Sequence, residues 1–163
     1  MAAARIGRLA RNPETFCRFV PAPSGPAVSI AVVGWLPAGE NRIRRTHWSA
    51  RWRTAETLHL LIATSWRGPL PSLRPPVAIA YKRWSYGPPA DWDNVAASSK
   101  DVLDAIRHLG VIPDDSPAVI TRCPQYLQGH VRSPDRQGFE IAIAECGAHV
   151  HPADLLAWQG HFE

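Results

Sequence analysis

Asp91-Trp92-Asp93-Asn94, Lys100, Asp104 and Asp114-Asp115 gather carboxylates and one ammonium into a single stretch of sequence, a pattern that suggests a divalent cation before it suggests surface ion pairs. Asp91 and Asp93 lie two apart, so in an extended segment both carboxylates project from the same side and can share one hard cation. Asp114-Asp115 follows Gly110-Val111-Ile112-Pro113, a turn expected to fold back beside the first pair and bring a third ligand. Mg²⁺ is usually held by one or two carboxylates together with substrate phosphate and waters. The chemistry implied is phosphodiester hydrolysis.

Between these acids the sequence predicts a helix that starts at residue 93 or 94 and ends at Gly110, placed where a left-handed cap would stop it. At about 100° per residue, Asp93, Lys100 and Asp104 fall within roughly 40° of one another. Val95, Val102, Ile106 and Leu109 occupy the other side, so one stripe packs and the other presents charge. Lys100 is then placed to neutralise a scissile phosphate in the transition state. The plainer alternative is a solvated face whose Asp-Lys pairs contribute a few tenths of a kcal/mol, roughly, each.

The run Asp91-Trp-Asp93-Asn94, Lys100, Leu103-Asp104, Leu109-Gly-Val-Ile and Asp114-Asp115 resembles the RusA family of Holliday junction resolvases, over roughly residues 35 to 145. The resemblance implies Mg²⁺, with Mn²⁺ as a substitute, bound by Asp91, Asp93 and Asp115 with Asp114 as neighbour, and Lys100 as the catalytic cation. Some family members carry the lysine one helical turn earlier, where this chain has Ala97, so Lys100 must reach the site from the next turn. Paired nicks on opposite strands of a nearly two-fold junction need two sites related by a two-fold axis, which a chain of this size supplies as a homodimer. The family is dimeric as well.

Composition fits a polyanionic partner, with a formal net charge of +4. Residues 1–75 hold eleven arginines and no lysine against three glutamates. Asn41, Arg42, Arg44, Arg45, His47 and Arg51 form a basic block just before and into a predicted helix of about 18 residues. Arginines there suit bidentate phosphate contacts, and gathered like charges need a counter-charge. The interleaved tryptophans can stack on unpaired bases, but Trp48, Trp52, Leu58, Ile62 and Trp66 recur at helical spacing and are expected instead to form its buried stripe. Lys82 and Trp84 share one face near the end of a strand over Val77 to Tyr86 and are placed to line the DNA groove, Trp84 equally well packed.

The expected fold is α+β, a single domain in which a small mixed β-sheet is flanked by helices. Residues 1–26 read as an extended or poorly ordered arm, 27–146 as the nuclease domain and 147–163 as a tail with a short helix docking Leu155, Leu156 and Trp158. Strands are expected at Val28 to Leu36, Val77 to Tyr86, Ala118 to Cys123 and Phe139 to Cys146. His149, His151 and His161 are too spread to favour zinc. Cys17, Cys123 and Cys146 form no Cys-x-x-Cys pair and read as reduced thiols. No apolar run reaches the length of a membrane span, Met1-Ala-Ala-Ala-Arg5 lacks a secretory core, and no phosphate-binding Gly-Lys loop is present. The expectation is therefore a cytoplasmic protein of a bacterial or phage-infected cell, with no membrane partner and no nucleotide cofactor. It would be a Mg²⁺-dependent, structure-selective endodeoxyribonuclease acting on four-way junction DNA in recombination and repair. A nuclease of broader choice, on flaps or single strands, and a non-catalytic DNA-binding protein are the alternatives.

Overall fold

Alternation along the apolar segments decides which residues face which layer. In Gly25–Trp35, the side chains of Val28, Ile30 and Val32 point one way while Ala31 and Val33 point the other. The computed structural model of the chain describes residues 9–22, 25–39, 45–147 and 151–162. Five strands, β1 (Leu9–Ala22), β2 (Gly25–Trp35), β3 (Val77–Ser85), β4 (Gln125–His130) and β5 (Gly138–Glu145), form one mixed sheet in the order β1-β2-β5-β3-β4. All neighbours run antiparallel except β3 and β4. A parallel pair needs a crossover, and helix α2 (Trp92–His108) supplies it. Helix α1 (Trp48–Ser65) lies between β2 and β3 in the chain.

Both helices pack on the face carrying Val28, Ile30, Val32, Val77, Ile79, Tyr81, Phe139, Ile141 and Ile143, against Leu58 and Ile62 of α1 and Val95, Val102, Ala105 and Ile106 of α2. Burying that face is the main driving force of the fold, at about 1.5–3 kcal/mol per large apolar side chain. The opposite face carries Ala31, Val33 and Trp84, and is covered by the carboxyl-terminal segment. Phe162 stacks on Trp84 at 5.0 Å, and the Trp158 indole N–H donates to Ser29 Oγ at 2.8 Å. The helices thus sit on one face rather than on both. The tail forms two short 3₁₀ turns, Pro152–Leu155 and Gln159–His161, where one short helix over Pro152 to Trp158 was expected.

Three further expectations need correction. Residues 9–22, read as part of an arm, are β1, an edge strand paired with β2 from Glu14↔Val33 to Ala22↔Gly25, so the sheet begins well before residue 27. Residues 118–123 contribute a single bridge, Ile120 to Val77. The strand instead lies at Gln125–His130, inside a segment whose end, Gln128 to Gln137, looked like polar loop. Its half-buried residues gain a partner from β3 across the chain, which local polarity does not reveal. Trp48 and Trp52 are 73% and 60% exposed, and of the α1 stripe Leu58 and Ile62 are fully buried.

Candidate functional site

Helix α2 starts at Trp92, a residue or two before the expected 93 or 94. Asp93 therefore lies in its first turn and not in an extended segment that would project both carboxylates from one side. The helix ends in a Schellman turn. The Gly110 N–H donates to Arg107 O, the Val111 N–H donates to Ile106 O, and Gly110 takes φ +75°. A left-handed position with no Cβ cost is why glycine stands there. Val95, Val102 and Ile106 are fully buried, while Asp93 and Lys100 are exposed, so the two stripes fall as the spacing requires.

At its amino end, α2 presents two carboxylates. Asp91 occupies the N-cap position yet makes no side-chain cap hydrogen bond, and Asp93 stands in the first turn. Both are exposed, and among the described residues neither forms an ion pair. The positive end of the helix dipole favours charge in this place. The loop that carries Asp91 is held by two glutamines that the sequence reading placed in a loop. Gln128 of β4 clamps the Ala90 peptide from both sides, its Oε1 accepting the Ala90 N–H and its Nε2 donating to the Ala90 carbonyl, each at 2.8 Å. Gln137 Oε1 accepts the Tyr86 N–H at 3.1 Å. Gly39 packs against this helix start, and a Cβ there would stand 2.7 Å from Asn94 Oδ1. A larger residue there would have to push the Asn94 side chain aside.

Arg83 is a site residue that the sequence reading missed. The Val77, Ile79, Tyr81 alternation extends to Arg83, which therefore lies on the helix side of β3 at the end nearest Asp91. Its guanidinium donates to the Pro37 carbonyl at 3.0 Å, its Nε has no partner, and no carboxylate among the described residues pairs with it. Burial holds its pKa below the usual arginine value. It lines a cleft of about 230 Å³ with Leu36, Pro37, Ala38, Gly39, Tyr86 and Gln137. Larger hollows of about 500 and 730 Å³ lie beside Cys123 and Cys146 and beneath Trp158, away from Asp91 and Asp93. Lys82 points to the opposite sheet face, with Nζ 3.9 Å from the Trp84 ring and Glu140 as its cross-strand neighbour. It does not share a groove with the acids.

Asp114 and Asp115 stand beyond the other end of α2, and the expected fold-back does not occur. A helix of 17 residues is a rod of about 25 Å, and the chain after it bonds to Leu73 and Val77, at the start of β3. Asp91 lies past the end of that strand. Among the described residues, no group of three or more His, Cys, Asp or Glu side chains is placed to hold a metal ion, so Asp91, Asp93 and Asp115 do not form a triad within one chain. The second acid pair surrounds Arg107, whose guanidinium lies 3.6 Å from Asp104 and 4.0 Å from both Asp114 and Asp115. A hydrogen bond from the Ser116 side chain, and another from the Asp115 backbone, hold the Asp114 carboxyl below its usual range. Lys100 lies about 10 Å along the helix from Asp93, two turns away on the same face.

Of the basic block, Asn41, Arg42 and Arg44 lie outside the described residues. Arg45 is exposed. His47 caps α1, its Nδ1 accepting the Ser49 N–H. Arg51 is engaged with Asp101 at 3.7 Å, a buried carboxylate that the sequence reading did not single out. Burial raises the Asp101 pKa and Arg51 opposes that rise, so the pair ties α1 to α2 and leaves Arg51 less available to a phosphate. His151 caps a 3₁₀ turn and His161 packs its ring 4.1 Å from Phe16, while His149 lies outside the described residues. No helix among the described residues is long and apolar enough to cross a membrane. No protein-family model matches the chain, and no curated protein matches it.

Proposed function

We propose that the chain is a Mg²⁺-dependent endodeoxyribonuclease of the RusA kind, acting on four-way junction DNA as a homodimer. The observation that carries the reading is the pair Asp91 and Asp93: two exposed carboxylates without an ion pair among the described residues, at a helix start held in place by Gln128. Asp91 stands at the N-cap without making the usual side-chain cap bond, which leaves its carboxylate available to a cation. Two carboxylates suffice for Mg²⁺ when substrate phosphate and water complete its shell. The cation, when bound, supplies an activated water and offsets charge on the phosphate. Asp91 and Asp93 hold and orient it, Arg83 and Arg45 bind flanking phosphates, and Lys100 offsets negative charge along the same helix face.

The length of α2 gives the dimer a chemical role. Asp115 reaches Asp91 and Asp93 only if it comes from a second copy whose α2 runs antiparallel to the first. The site then has its third carboxylate and two sites appear per dimer, as symmetric nicking needs.

Purified chain should be incubated with a labelled four-way junction, a matched duplex and a flap, in Mg²⁺ or in EDTA. Paired Mg²⁺-dependent nicks confined to the junction are expected, and Asp93→Asn should abolish them while leaving junction binding intact. Cutting of all three substrates would replace the reading with a broader nuclease. Binding without cutting would leave a DNA-binding protein.

A further inference from the structure

We propose that Trp48 and Trp52 form a stacking platform for unpaired DNA bases, so that the chain prefers substrates with an opened or single-stranded segment. The proposal rests on the reading of the chain as DNA-acting and adds the feature of DNA that it selects. Tryptophan is costly to leave in water, and Trp35 and Trp84 are almost wholly buried. Trp48 and Trp52 are 73% and 60% exposed. They stand one turn apart at the start of α1, so their side chains are neighbours on one helix face. The surroundings are cationic: Arg45 and Arg53 are exposed beside them, the first turn of α1 has no acid, and the positive end of the helix dipole lies there. The first acid on the helix is Glu56, beyond the pair. Large aromatic faces flanked by arginine match a nucleobase attached to a phosphate chain. A second copy of this chain fits less well, because a two-fold interface through this patch would bring arginines against arginines.

The test reads binding without cleavage. Full-length chain and the Trp48→Ala/Trp52→Ala variant are titrated in EDTA with a labelled thymidine 20-mer and with a matched duplex. Anisotropy gives the affinities and intrinsic fluorescence gives the quenching. Both substituted side chains are exposed, and circular dichroism with sedimentation checks fold and oligomeric state. Expected is quenching by the single strand, an affinity loss of at least about tenfold in the variant, and duplex affinity changed by less than about threefold. Unchanged single-strand affinity would overturn the proposal. Loss of a dimer in the variant would overturn it too, assigning the patch to a second copy. Trp-dependent quenching without any nicking activity would leave the platform standing and remove the nuclease. Nicking without such quenching would do the reverse, and no binding to the single strand would reject the platform.

Discussion

Glu140 has no exposed surface, and the Trp84 indole N–H donates to its Oε1 at 3.1 Å. Burial pushes its carboxyl from 4.5 up to about 6, against the opposing pull of Lys82 and the Trp84 hydrogen bond. Between those two values the folded chain keeps a proton that the unfolded chain releases. Stability therefore falls as pH climbs from about 4.5 through 6 and stays lower above. Glu140→Gln keeps an acceptor for Trp84 and removes the ionisation. It should be more stable than the parent by about 2 kcal/mol at pH 7.5, an advantage that shrinks below pH 5, and thermal melts across pH read the difference. Arg83 belongs to the same scale. Arg83→Met preserves volume but not charge, so it should leave the melting temperature level or raised and weaken junction binding about tenfold, as loss of one charge-assisted bond does. Equal affinity in a binding titration would take Arg83 out of the interface.

At the scale of elements, the tail is a structural layer. Residues 151–162 cover the sheet face that α1 and α2 leave open, with Phe162 wholly buried against Trp84 and Trp158 bonded to Ser29. Phe162→Ala should cost about 3–5 kcal/mol and lower the urea midpoint without altering the urea dependence of unfolding, since the surface exposed is nearly the same. A cost below about 1 kcal/mol would mean that the segment docks only loosely. Helix α2 has the opposite character. Its two ends carry charge and its middle is anchored by Val95, Val102 and Ile106, so it acts as a spacer of fixed length between Asp91 and Asp114.

That spacer makes an assembly-scale prediction. Asp91→Asn and Asp115→Asn should each be inactive alone. If Asp115 reaches the site from a second copy, as proposed, a mixed dimer carries both substitutions in one site and none in the other. Mixing the two variants under exchange conditions should therefore restore single-strand nicking, at one of the two sites of each mixed dimer by two-fold symmetry. A site built within one chain would give no recovery from any mixture, and a gel separating nicked from resolved junctions distinguishes the cases.

What the sequence determined by itself was local. Near-continuous apolar content marked β2, period-two alternation marked β3, a short apolar segment marked β5, and the 3.6 period marked α1 and α2. Gly110 marked a left-handed stop. These are properties of neighbouring residues, set by side-chain direction and backbone freedom. Only the tertiary structure decided which partners meet. Gln125–His130 became a strand because β3 offers its edge, Arg51 was taken by Asp101 of the other helix, and Trp48 and Trp52 stayed exposed at the first turns of α1 although Leu58 and Ile62, further along the same stripe, are buried. The separation of Asp91 from Asp114 and Asp115 was half legible. Seventeen helical residues already imply a rod of about 25 Å, but the path of the chain beyond Gly110 depends on the hydrogen bonds to Leu73 and Val77, distant contacts that no local pattern encodes.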